Sequence, residues 1–204
     1  MRVYIYAVVE GELDAAVVRR LSGVVEGIEI DYNRIFIKNS KNAVLRNLEK
    51  FNRAAEKFPW FVLVDLDREE CAPSLIRKHL PGRSRHMCFR VAVRAVEAWL
   101  MADREGIAGF LGVSKRAVPA EPEKVLDPKM ILVNLARRSR KRDIREALVP
   151  DPDTGARVGP LYVPRLKEFI ADVWNVREAC KNSPSLEGAL RCLRAISHSY
   201  NYPS

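Results

Sequence analysis

Three carboxylates stand where the chain leaves apolar, strand-like runs. Glu10 follows VYIYAVV (3–9), and Asp65 and Asp67 close the run WFVLVD as VDLD (64–67). In open α/β sheets ligands bind in the crevice beyond the carboxyl ends of the strands, and both groups of acids fall there. Carboxylates converging on one crevice repel one another unless a cation lies among them. Oxygen donors suit hard ions, so Mg²⁺ or Mn²⁺ is the expected occupant, and phosphoryl chemistry is what such a set can perform. Each group by itself has an ordinary explanation. An Asp at a strand end often caps the next helix, and Glu10 favours the start of one. Their joint placement, each at the proper end of its own strand, is what favours a site. Gly11 is expected to allow a tight turn and close approach of a phosphate.

A fourth acid, Glu97, lies just after the run 87–93 on an otherwise apolar stretch. A carboxylate there is costly unless it is paired or binds metal. It is therefore either a further metal ligand or acid/base group, or a partner of Arg90, Arg94 or Lys129. Asp103 falls on another face and is read as structural, and Trp99 as core. The segment RRSRKRDIR (137–145) holds six basic residues and one acid. Arg137, Lys141 and Arg145 recur at i, i+4 and i+8, so the segment, with Arg138, Arg140 and the preceding Lys129, is expected to contact a phosphate backbone. The competing account is a solvated charged face, with Lys129 capping its helix or pairing with Glu97. Tyr200 and Tyr202 could stack on bases, but a frayed terminus accounts for them more simply.

The elements that must hold these residues follow from periodicity. Strands are expected at 3–9, 24–30, 33–38, 60–65 and 87–93, with helices at 12–22, 41–57 and 71–79 between them. That alternation argues for a doubly wound α/β core over residues 1–95. Beyond it the strand signal stops. Residues 94–112, 128–138, 141–148, 162–172 and 185–197 look helical, so 96–204 is expected to form an all-helical extension packing on or beside the core. The 204 residues are 48% apolar and 30% charged, which suits a globular fold and not a disordered chain. The net charge of +9 fits a polyanionic partner, DNA or RNA. No apolar run is long enough to span a membrane, so none is expected as a partner. The four scattered cysteines and three histidines lack zinc spacing, and reduced thiols in a cytoplasmic protein are the expectation.

With those residues in view, VVEGELDAAVVRRL (8–21) followed by WFVLVDLDREE (60–70) resembles the Toprim domain shared by topoisomerases, bacterial-type primases and OLD-family nucleases. AVEAWLMAD (95–103), FLGV (110–113), EPEKVLDPK (121–129) and CKNSPSLEGALRCL (180–193) are similar to a prokaryotic Toprim-related family of unknown function, akin to the OLD and RloB-type defence proteins. The chain departs from the pattern in carrying Leu186 where a phenylalanine is usual, and it shows no ATPase or topoisomerase tyrosine module. The resemblance implies a Toprim-like (Rossmann-like) mostly parallel sheet flanked by helices. It implies a divalent metal held by Glu10, Asp65 and Asp67, and Mg²⁺-dependent phosphodiester hydrolysis by a nuclease, in phage defence. Two other readings stay open: a non-catalytic nucleic-acid-binding module, and a subunit acting with a partner ATPase or as a homo-oligomer.

Overall fold

The computed structural model describes residues 2–201, with side chains to Ser199. The Tyr202 stacking expectation, and that for the Tyr200 ring, lie outside the described residues. The chain forms two compact units, residues 1–93 with 184–204, and residues 94–183.

In the first unit the apolar run after Arg2 forms Val3–Tyr4 (β1) and Tyr6–Val9 (β2), interrupted at Ile5. Helix Glu12–Ser22 (α1) follows, then Ile28–Glu29 (β3) and Ile35–Ile37 (β4). Helices Lys41–Arg46 (α2) and Leu48–Ala54 (α3) lead to Trp60–Asp65 (β5), and Ala72–His79 (α4) leads to Met87–Ala92 (β6). All pairings are parallel, in the order β4-β2-β5-β6, with β1 pairing β3. The amides of Val3 and Ile5 donate to Gly27 and Glu29, whereas that of Tyr6 donates to Pro59. Alternate amides point to opposite flanks of a strand, so β3 and β4 follow one another along the flank away from β5. The chain thus steps one way from its first strand and then returns past it, and the switch lies between β2 and β5.

Right-handed crossovers require the connections on the two sides of that switch to lie on opposite faces. The packing agrees. Val8, Val62, Val64, Phe89 and Val91 share one buried cluster with Val44, Leu48, Leu75 and Leu80 from α2, α3 and the α4 end. β5 reads WFVLVD and is buried along Phe61–Val64, as a parallel strand covered on both faces must be. Helix Pro184–Asn201 (α11, numbered in chain order after the second unit) packs along β6. Cys88 and Arg90 of the strand, and Val93 just past it, meet Cys192, Gly188 and Ser185 of this helix in antiparallel order. Cys88 and Cys192 form a disulfide with a Cα–Cα distance of 6.0 Å. A Cβ on Gly188 would lie 2.2 Å from the Arg90 guanidinium, so a glycine stands mid-helix where that side chain crosses. The Val93 amide donates to Ser185 Oγ at 3.2 Å. The reduced state expected for these two thiols is therefore corrected: spacing in sequence says nothing about two cysteines that a strand and a distant helix bring together. The helix that carries one of them, grouped by sequence with the extension, belongs to the first unit.

The second unit comprises Val96–Ala102 (α5), Arg104–Leu111 (α6), Pro128–Arg137 (α7), Arg142–Leu148 (α8), Tyr162–Glu168 (α9) and Val176–Cys180 (α10). The expected helix 94–112 is two helices. Asp103 stops the first and caps the second, accepting from Gly106 N at 3.0 Å and Asn175 N at 2.8 Å. The structural reading of Asp103 holds, and Trp99 is fully buried. Among the described residues no helix is long and apolar enough to cross a membrane.

The disulfide closes a loop with a sequence separation of 104 that contains the whole second unit. Crosslinks of long loops stabilise chiefly by restricting the unfolded chain, typically by about 2–4 kcal/mol. Cys192→Ser is expected to lower the unfolding free energy in urea by about that much. Reductant should reproduce the loss in the wild type and leave the variant unchanged.

Candidate functional site

β2 and β5 are neighbours whose following segments depart in different directions, so the space above their carboxyl ends is left to side chains. Glu10, one residue past β2, fills part of it. Its Oε1 accepts from the Asp65 amide at 2.9 Å, tying the ends of the two strands across the switch. Beyond Asp65, the last residue of β5, Leu66 donates back to Ala92 of β6 at 2.8 Å. Asp67 then turns with φ 54°. That left-handed conformation is uncommon for residues other than glycine, although Asp tolerates it better than most. Asn39 past β4 and Arg94 past β6 also have positive φ, at 61° and 66°. Strained turns thus follow three strand ends of the sheet, the kind of place where functional loops concentrate.

Lys41, the first residue of α2, reaches into this group. Its Nζ donates to the Leu66 carbonyl at 2.9 Å and lies 3.3 Å from Asp67 Oδ2. Burial raises the Glu10 pKa above its ordinary 4.5, the Asp65 amide lowers it, the Asp67 charge raises it again, and Lys41 lowers it. Glu10 and Asp67 therefore sense one another's charge, and Lys41 offsets part of that repulsion. Beside Lys41 an open cavity of about 640 Å³ is lined by Ser40, Arg46, Glu69, Lys78 and His79. Sequence reasoning passed over Lys41. Applying the carboxyl-end rule to β4, as it was applied to its neighbours, would have pointed to residues 38–42.

Gly11 is corrected. Its φ of −144° is ordinary extended backbone, and an added Cβ would meet Asp14 only at 3.5 Å. Its amide donates to Asp14 Oδ2 at 2.7 Å, which starts α1.

Glu97 lies in the second unit. All seven residues of α5 are buried, Glu97 included. Lys129 Nζ is 3.7 Å from Glu97 Oε1, so of the three cations considered the pairing there is with Lys129. Tyr162 donates to the same oxygen at 3.4 Å, and its pKa is raised well above 10, first by burial and then by the Glu97 charge. The hydroxyl therefore keeps its proton.

The basic segment is not one helical face. α7 ends at Arg137 and α8 begins at Arg142, so the i, i+4, i+8 spacing crosses a break. Lys141 turns back to cap α6, donating to the Gly109 and Phe110 carbonyls at 2.9 and 3.0 Å. Arg145 donates to the Ser139 carbonyl. Arg137, Arg138 and Arg140 are exposed.

The oxygen donors of Glu10, Asp65 and Asp67 have the chemistry a hard divalent ion requires, and the charge between Glu10 and Asp67 is what such an ion would relieve. Among the described residues no three acidic, cysteine or histidine side chains already form a metal-holding group. Family models, curated proteins and solved structures give no significant match to the chain.

Because its carboxyl holds a proton more tightly in the folded state, Glu10 costs stability as pH rises from 4.5 through its native value. Glu10→Gln keeps the acceptor for Asp65 N but loses that cost. In chelator, the variant is expected to melt above the wild type at pH 7. The difference should close as pH falls toward 4.5, followed by calorimetry.

Proposed function

We propose that this chain is a metal-dependent phosphodiesterase of Toprim-like character, acting as a nuclease on DNA or RNA. The observation that carries the reading is the Glu10 carboxylate bridging to Asp65 N at the sheet's switch point, with Asp67 and Lys41 beside it. Switch-point crevices are where doubly wound sheets bind their ligands.

Glu10, Asp65 and Asp67 would hold Mg²⁺ or Mn²⁺, which supplies polarisation of a phosphoryl oxygen and a water of lowered pKa. The protein's own part is to position. The turn at Asp67, clamped by Lys41 on the Leu66 carbonyl, holds its carboxylate toward the crevice. Glu10 keeps one oxygen on the Asp65 amide and orients water with the carboxylate. Lys41 and the cations of the neighbouring cavity steady the substrate phosphate. Lys129, Arg137, Arg138, Arg140, Lys141 and Arg145 are retained as proposed phosphate contacts. Of these, Lys129, Arg137, Arg138, Arg140 and Lys141 are exposed, but Lys129 and Lys141, like the half-buried Arg145, are already engaged within their unit. A role for Glu97 as metal ligand or acid/base group is likewise a proposal, and its pairing with Lys129 supports a structural role instead.

One observation favours a second reading. The ammonium of Lys41 already offsets Asp67, which suits a non-catalytic nucleic-acid-binding module in which the acids only order a turn. That module, alone or with an ATPase partner, binds without turnover.

The test is purified protein with Mg²⁺ or Mn²⁺ against single- and double-stranded DNA and RNA. Cleavage is expected, and Asp65→Asn with Asp67→Asn should reduce it at least about a hundredfold, since a metal supplies several kcal/mol of transition-state stabilisation. Mg²⁺ should also raise the melting temperature of the wild type and not of the double variant. Cleavage undiminished in that variant would exclude this crevice as its source.

A further inference from the structure

The sheet's other notable surface lies on the flank formed by β3 and β4. Among the described residues, the exposed large apolar side chains of the second unit, Leu126, Leu161 and Val173, are aliphatic, whereas those of the first unit, Tyr4, Tyr32, Phe36 and Phe58, are all aromatic. The four sit on or beside this flank. Phe36 is on β4 itself, 40% exposed, and its ring stacks on Trp60 with centroids 5.8 Å apart and planes 18° apart. Tyr6 stacks on Trp60 at 5.1 Å and on Phe36 at 6.4 Å, and Phe51 stacks on Trp60 at 5.3 Å. Phe58, 57% exposed, meets Tyr6 edge-on at 6.3 Å. Phe51, Trp60, Tyr6 and Phe36 thus form a nearly parallel set with Phe58 across its edge, running from the protein out to solvent.

Cations are interleaved with the rings. The Arg34 guanidinium lies 4.7 Å from the Tyr4 centroid and 5.1 Å from that of Tyr6, while also standing 3.9 Å from Asp31. Lys38 Nζ is 5.9 Å from Phe36 and 5.7 Å from Phe51, and Arg19 is 5.9 Å from Tyr32. Guanidinium and ammonium groups held over the rings give this surface positive charge together with flat apolar area. A second copy of a chain carrying +9 would bring like charges together at this flank. Partly exposed rings alternating with cations match a polyanion that carries flat bases, and an exposed ring accepts a base only when that base is not already stacked in a duplex.

We propose that this flank is a base-stacking platform for single-stranded nucleic acid, with Phe36 and Phe58 as the exposed rings and Arg34 and Lys38 at the backbone phosphates. The proposal rests on the preceding reading only for the nature of the polymer, and it adds the strand state. Lys38 also connects the two regions, since its amide donates to the Val9 carbonyl at 3.0 Å, one residue before Glu10. A strand lying along β4 is thereby led toward the acidic crevice.

The test is fluorescence anisotropy of labelled single-stranded DNA and RNA oligonucleotides, and of the corresponding duplexes, titrated with the full chain in chelator so that nothing is cleaved. Phe36→Leu with Phe58→Leu keeps apolar bulk but removes the flat rings, and Phe36→Tyr with Phe58→Tyr keeps them. The leucine variant is expected to bind single strands about tenfold or more weakly, with the tyrosine variant near wild type and duplex binding little changed. Circular dichroism melts confirm that both variants fold. Single-strand affinity equal in wild type and leucine variant overturns the proposal. So does a wild-type dimer in sedimentation that Phe36→Asp converts to monomer, which would make a second copy the occupant. A wild type that binds single strands through these rings yet cleaves nothing sinks the hydrolytic reading alone. A chain that cleaves while the leucine variant binds unchanged sinks this one alone.

Discussion

The arrangement of the first unit depends on a single reach: the Glu10 carboxylate across to the Asp65 amide. Parallel strands on either side of a topological switch cannot continue pairing past their ends, because the chain segments that follow them leave on opposite faces. The backbone donors exposed there need acceptors. A carboxylate supplied by the neighbouring strand meets that need with a charged acceptor, which forms the stronger kind of hydrogen bond. It also places a negative charge in a partly buried position next to Asp67. Burial and that neighbour both hold the Glu10 proton more tightly, and Lys41 relieves the tension from the other side. Strand order, turn conformation and electrostatics at the crevice are therefore parts of one arrangement.

The second unit solves a related problem by different means. α5 is buried on every side, so Glu97 could not remain there as an isolated charge. Lys129 from α7 and the Tyr162 hydroxyl from α9 come to it, and three helices are thereby tied to one oxygen. Truncating one member of such a group leaves the others exposed to the cost of an unmatched charge, so the knot constrains how the helices pack. Asp103 performs comparable service for the backbone. It ends α5, starts α6 and receives the Asn175 amide, so one side chain fixes the junction of three segments.

Where the sequence was legible, the reason was burial pattern. β5 is a continuous apolar run and β6 one broken only by Arg90, and they appear close to where periodicity puts them. The acids at the ends of β2 and β5 were visible because polar residues interrupt those runs abruptly. Breaks made by side chains were not visible. The apolar spacing of 41–57 passes without a mark through Asn47, where α2 gives way to α3, and that of 94–112 passes through Asp103. Periodicity records which side faces the core and is blind to a carboxylate that intercepts backbone amides. The same blindness put Arg137, Lys141 and Arg145 on one face, although Lys141 turns to cap α6. β3 shrank to two residues because the run at 24–30 contains Gly27, with φ 79°, which no strand accommodates without a kink. The Cys88–Cys192 bond depends on residues distant in sequence, and no local signal encodes it.

The two surfaces of the first unit make complementary demands on a polyanion. On the proposed reading, rings with cations over them would attract it along the β4 flank, whereas Glu10 and Asp67 would repel its phosphates at the crevice. Lys41 cannot resolve that conflict by itself, because one ammonium faces two carboxylates and is held by the Leu66 carbonyl as well. A phosphate could approach Glu10 closely only if more positive charge entered with it or ahead of it, and a divalent ion between the acids is the smallest addition that reverses the sign of the local field. On that reading Glu10, Asp65 and Asp67 would hold the ion, whose charge would let a phosphodiester approach the strand ends. Affinity for the polymer and access to the crevice would be governed by different residues, the rings and cations of β4 for the first and the three acids for the second.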